Sequence, residues 1–111
     1  MKVEIFTHPE FEKQFKRYRK KYHSLVNDYA NFLEDIKANP FQGADLGKCV
    51  HKVRMGIASK GGGKSGGMRI ITYLVSQIDE DNIDITLLYI YDKNEMENIS
   101  DKFISYLLNS N

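Results

Sequence analysis

The hydrophobic period of this chain changes after Asn39-Pro40, from a spacing of three and four residues over 9–36 to a spacing of two from Lys48 to Ile57. Few features constrain a fold more, because the two spacings belong to helices and to strands. Before the switch, Phe11, Phe15, Tyr18 and Tyr22 form one apolar stripe over residues 9–22, with Pro9 suited to a first helical turn. Leu25, Tyr29, Phe32, Leu33 and Ile36 form a second, with Ser24 as the expected N-cap and Pro40 ending it. Two amphipathic helices joined this tightly predict an antiparallel helical hairpin.

After the switch, residues 41–47 read as loop and Lys48 to Ile57 as a strand. Alternation puts Lys52 and Arg54 on one side of it and His51 on the other. MRIITYLVSQ and IDITLLYIYD read as two further strands, separated by the turn sequence DEDN. Short connections make the three an antiparallel meander. KVEIF at the start alternates as a short strand, and the tail from Asn94 to Leu108 carries Met96, Ile99, Phe103, Ile104 and Leu107 at helical spacing. The expected order is β-α-α-β-β-β-α, an α+β fold with the helical hairpin packed on an antiparallel sheet and a helix at the C-terminus. With 111 residues, a single domain over 1–111 is expected.

Hydrophobic content of 41% and no apolar run of membrane-spanning length predict a soluble protein without a membrane partner. The N-terminus does not read as a signal peptide. Cys49 is the single cysteine, which leaves no intrachain disulfide and no cysteine-based zinc site, and suits a reducing cytoplasm. Net charge is only +1, but it is unevenly placed. Leu46 to Ile78 holds no acid, while Lys48, Lys52, Arg54, Lys60, Lys64 and Arg69 all lie within it. A second basic cluster runs from Lys13 to Lys21. Local positive fields of this kind suit phosphates.

Within the acid-free segment, ASKGGGKSGG from Ala58 to Gly67 imitates a nucleotide-binding P-loop, with Asp92 ending a later apolar strand as a Walker-type partner would. The imitation fails physically. A P-loop leads into a helix whose N-terminus holds phosphate, but Ser65 is followed by Gly66-Gly67 and then by a strand pattern. The span from Lys64 to Asp92 has no room for a crossover helix. The loop is better read as a wide hairpin connection that carries Lys60 and Lys64 to a nucleic-acid backbone.

HKVRMGIASKGGGKSGGMRIITYLV followed by LLYIYDKNEMENIS resembles the RelE/ParE superfamily of bacterial toxins, and most closely its RelE-like, HigB-type members. The likeness lies in a Lys–hydrophobic–Arg strand, a Lys/Gly loop, an Arg-Ile-Ile strand and a closing IYxKNE motif. It is strict from Lys52 to Glu95 and extends in element order over most of the chain. It implies a toxin that cuts mRNA in the ribosomal A site as a metal-independent endoribonuclease without cofactor. It also implies a cognate antitoxin as partner, with operator DNA contacted only indirectly through the antitoxin complex. Carried over by position, Lys52, Arg54 and Arg69 form the basic set, Tyr91 and Lys93 close the motif, and Lys48, Lys60 and Lys64 contact RNA. Departures occur at Ser65, where an Arg is frequent, at Asn94, and at Ser100, which takes the place of a later Tyr.

RNA cleavage without a metal needs a base for the 2′-OH, cations for the phosphorane and a proton for the leaving 5′-oxygen. The acid-free segment offers no His–His pair; His51 points away from the cations, and His8 and His23 sit at helix starts as structural groups. Lys52 is the expected base, since neighbouring cations favour a neutral amine. Arg54 and Arg69 are the expected phosphate clamp, and Lys93 or Tyr91 the proton donor. The Lys13–Lys21 cluster is a candidate rRNA contact. A ParE-like inhibitor of DNA gyrase and a non-catalytic RNA- or protein-binding module are the alternatives on the same fold.

Overall fold

Eight elements follow one another in the computed structural model, which describes residues 2–59, 67–76 and 81–110. They are β1 (Lys2–Thr7), α1 (Pro9–Lys21), α2 (Leu25–Ala38), β2 (Ala44–Gly47), β3 (Val50–Met55), β4 (Met68–Ser76), β5 (Asn82–Asp92) and α3 (Asp101–Asn109). The sheet order is β1-β5-β4-β3-β2. The meander β3-β4-β5 is antiparallel as expected, and β1 joins β5 in parallel, with Lys2 opposite Asn82 and Thr7 opposite Leu87. The α+β class and the order of helices stand, with two refinements to the sheet.

The first refinement is β2, inside the stretch read as loop. Ala, Asp and Gly are poor strand formers, so ADLG gives no signal of its own. It is held by pairing, Ala44 opposite Lys52 and Asp45 opposite His51. The second is the start of β3. Lys48 and Cys49, read as strand residues, adopt left-handed backbone at φ 53° and 64° and, with Gly47, make the tight turn into β3. The strand also stops at Met55 rather than Ile57.

Helix ends show a similar mixture. Ser24 occupies the N-cap position of α2, but its hydroxyl donates to the Asp28 carboxylate instead of capping. His8 caps α1: its Nδ1 accepts from the Glu10 N–H at 3.0 Å. That leaves the proton on Nε2, which donates to the Ser110 carbonyl at 2.5 Å and ties the start of α1 to the end of α3. The tail is helical only from Asp101. Ser100 is its cap, with Oγ accepting from the Phe103 N–H at 3.1 Å, so the residue standing where the family pattern places a Tyr has a structural task.

Two layers of core follow. The α1–α2 hairpin covers one face of the sheet, where Phe11, Tyr18, Leu25, Phe32 and Ile36 pack on Val53, Met55, Met68, Ile70 and Ile85. Each such buried side chain contributes about 1.5–3 kcal/mol relative to exposure. On the opposite face α3 packs Ile104 and Leu107 onto Val50, Ile71, Leu88 and Tyr91. A bulge in β5 makes this division possible. Leu87 pairs with Thr72 and Tyr89 with Ile71, so Leu88 is an extra residue. Ile83, Ile85 and Leu87 therefore face the hairpin before it and Ile90 does so after it, while Leu88 and Tyr91 join the α3 side.

Candidate nucleic-acid cleft

A nine-residue helix is about 13 Å long, against about 36 Å for the eleven residues of β5. α3 thus leaves part of its own face uncovered. That uncovered part is a cleft of about 650 Å³, and Lys52, Arg54, Arg69 and Lys93 all line it.

Register explains the convergence. Arg54 is directly opposite Arg69 across β3–β4, and Arg69 is directly opposite Tyr91 across β4–β5. Lys52 lies one step along on the same side of β3, opposite Ile71. Directly opposed residues hold their Cβ atoms about 4.5–5.5 Å apart, and like charges so placed destabilise a sheet unless an anion lies between them. Arg69 is 5% exposed and donates to the Met68 carbonyl at 3.2 Å, so its guanidinium sits deep in the cleft and Arg54 near the rim.

The other wall is formed by Gln42, Gly43 and Ala44, and the far end by Glu97 and Asn98. Sequence reading missed all of these. Gly43 has a signal in hindsight: at φ 94°, a Cβ there would lie 2.4 Å from the Lys52 carbonyl oxygen, so only glycine lets this wall close on β3. Glu97 and Asn98 carry no such signal, because only the chain path after β5 brings them to the cations.

Two expected site residues lie elsewhere. Lys48 is in the turn before β3, about 13 Å along the strand from Lys52, beside Leu46 and Asp101. Tyr91 is 2% exposed beneath the cleft, with a hydroxyl that has no hydrogen-bond partner among the described residues. Burial pushes its phenol pKa up, and Arg69 beside it opposes the rise. Lys60 and Lys64 lie outside the described residues, as does the first half of the DEDN turn. The P-loop reading fails on topology: the strands on either side of the glycine segment are antiparallel neighbours, Met55 opposite Met68, and among the described residues no helix lies between them and β5.

The strand end that carries Lys93 is anchored from α1. Asp92, read as a strand-end turn residue, is buried; its carboxylate accepts from the Tyr22 hydroxyl and from the Asn94 N–H. Glu95 accepts from Arg17 at 3.0 Å and Lys21 at 3.2 Å. These contacts occupy two members of the basic α1 cluster. Partial burial pushes the Glu95 pKa up, but the hydrogen bonds from Arg17 and Lys21 outweigh it and hold the carboxyl below its ordinary 4.5.

A family model described as RelE toxin of RelE / RelB toxin-antitoxin system matches residues 5–109. The chain belongs to the RelE toxin family. The toxin's cleft, the elements from α1 through α3 and both anchoring contacts fall inside the matched region, which begins within β1. Membership gives the toxin a protein partner, its antitoxin. No helix among the described residues is long and apolar enough to cross a membrane.

Because the Glu95 carboxyl is depressed in the folded toxin, its stabilising effect is present above the unfolded value and is lost as pH falls through the folded one, below about 4.5. Thermal melts of the wild type and Glu95→Gln should therefore differ most at neutral pH and converge in acid. A gap that stays constant from pH 7 to pH 3 would show that the Arg17 and Lys21 contacts do not hold the strand end.

Proposed function

We propose that the toxin is a ribosome-dependent endoribonuclease that cuts mRNA in the ribosomal A site and so stops translation in the cytoplasm. The observation that carries this reading is the opposed Arg54–Arg69 pair with Lys52 and Lys93 around one open cleft. A chain phosphate seated between the two guanidiniums offsets their repulsion and is held by charge-assisted bonds. The 2′-oxygen attacks phosphorus, the P–O5′ bond breaks, and a 2′,3′-cyclic phosphate and a 5′-hydroxyl result.

Lys52, next to the pair on β3, takes the 2′-OH proton. Lys93, which lines the cleft where Tyr91 does not, supplies the proton to the 5′-oxygen. Tyr91 supports Arg69 from below. Arg54 and Arg69 stabilise the added charge of the phosphorane, the largest single contribution in reactions of this type. Alignment of the strand by the ribosome supplies orientation that an open cleft cannot. The likeness in the glycine segment and the KNE motif supports the HigB type within the family.

Primer extension on mRNA in a purified translation system tests the reading. Cuts within the A-site codon, present only with ribosomes and absent when antitoxin is added, are the expected result. Intact mRNA together with gyrase-dependent DNA breaks would replace it with the ParE-like activity.

A further inference from the structure

β2 leaves the far half of β3 without a neighbour. The Leu74 N–H donates to the Cys49 carbonyl at 2.9 Å, so alternation along the β3–β4 ladder turns the backbone groups of Lys52 and Arg54 away from β4. Ala44 of β2 meets Lys52, but no β2 residue stands opposite Arg54. The Arg54 N–H and C=O thus leave the sheet side by side, a donor next to an acceptor, at its outer edge. Beside them, between α2 and β3, lies a pocket of about 300 Å³, at the small end for ligand sites. Arg54 and Gln42 line both this pocket and the cleft, so the two adjoin around the edge of the sheet.

The floor of the pocket is apolar, formed by the buried side chains of Phe32, Met55 and Ile57. Its polar groups are mostly acceptors. The Asp28 carboxylate accepts from the Ser24 hydroxyl at 2.7 Å and the Ala58 N–H at 3.1 Å, both on Oδ2, which leaves Oδ1. Gln42 donates from Nε2 to the Asp35 and Asn39 carbonyls at 3.0 and 3.1 Å, which leaves Oε1. A phosphate fits poorly beside a carboxylate, and an edge of one residue is too short to seat a strand. A base splayed from a single strand fits both features: its faces meet the apolar floor and its edge pairs with the Arg54 backbone. The acceptors reward exocyclic amino groups, which adenine, guanine and cytosine carry and uracil lacks.

We infer that this pocket holds the base of a nucleotide flanking the phosphate in the cleft, and that it accepts adenine, guanine or cytosine and rejects uracil. The Arg54 backbone pairs with the base edge while its guanidinium stays on the phosphate, so one residue couples recognition to the clamp. Asp28 and Gln42 accept from the amino group. The inference rests on the cleft as a site for an RNA phosphate, but not on the cut being made there.

The test titrates the full-length toxin with 2′-deoxy dinucleotides of adenine, guanine, cytosine and uracil and follows backbone amide resonances. The amides of Arg54, Gly56 and Ala58 should respond to the first three at concentrations at least about tenfold lower than to the deoxyuridine dinucleotide. Asn31→Tyr, at an exposed helical position on the mouth of the pocket, should abolish that difference. Its melting temperature, and the response of Arg69 to inorganic phosphate, should match the wild type. Equal binding of all four dinucleotides, or shifts confined to Arg69 and Lys93, would overturn the inference. Protection of the Arg54 amide by purified antitoxin, with no response there to any dinucleotide, would assign the edge to a protein strand instead. The probes lack the attacking 2′-OH and need no ribosome, so failure of mRNA cleavage in the primer-extension assay leaves these readouts intact. Cleavage that proceeds while the pocket amides stay silent would remove this inference alone.

Discussion

Arg69→Ala is expected to slow A-site cleavage by about 10²–10³-fold with little change in ribosome binding. The residue is buried at the centre of the row Arg54–Arg69–Tyr91, so its charge is aimed at one point and shielded from water. A preorganised donor at such a position acts chiefly in the transition state, where phosphate charge grows. Arg69→Lys should recover only part of the rate, because an ammonium is a point charge and lacks the planar fork. Inorganic phosphate should raise the melting temperature of the wild type and do so less for Arg69→Ala, since any anion bound to the folded state stabilises it. Single-turnover cleavage by Arg69→Ala within about threefold of wild type would remove Arg69 from the site.

Tyr18→Phe should be the most damaging single-atom change outside the cleft. The ring is 2% exposed and stays packed in the variant, so no cavity arises. The lost oxygen accepts from the Asp92 N–H at 3.1 Å and donates to Glu95 at 3.2 Å. Taking that acceptor from a buried N–H costs about 1–3 kcal/mol. For a domain of this size the melting temperature falls by about 4–8 °C per kcal/mol. Cleavage should fall as well, because Asp92 begins the turn that delivers Lys93, Glu97 and Asn98 to the cleft. A denaturation midpoint within about 0.3 kcal/mol of wild type would show that the hydroxyl is dispensable and that Asp92 is held by Tyr22 and Asn94.

The readable parts of this fold were those in which periodicity decides burial. The helical hairpin and the meander follow from stripes of Phe, Tyr, Leu and Ile, and the shared side of Lys52 and Arg54 follows from strand alternation alone. What periodicity does not encode is pairing. β2 has no propensity of its own and exists because Gly43 and the left-handed turn at Lys48-Cys49 fold it back on β3. The tail shows helical spacing from Asn94, yet the Asn94 N–H bonded to Asp92 starts a turn, and the helix waits for the Ser100 cap. Glu95 was visible only as part of a motif; its task appears once α1 brings Arg17 and Lys21 to it. Tyr91 was read as part of the closing motif, and neither the bulge that sets its face nor its depth across the sheet is something alternation can tell.

The doublet Leu87-Leu88 in β5 acts as a phase inverter. With Leu88 kept but no bulge, strictly alternating geometry would send Tyr89, Tyr91 and Lys93 toward the helical hairpin and turn Ile90 and Asp92 outward toward the cleft. The bulge therefore sets which chemistry each surface of the sheet presents beyond this point. Deleting Leu88 would remove the bulge and keep every face, because Tyr89 would then follow Leu87 in plain alternation, whereas one residue added to the regular part of the strand would exchange the lining of the cleft with that of the core. Lengthening the connection between β4 and β5 leaves the phase alone, and chain length should be free to vary there.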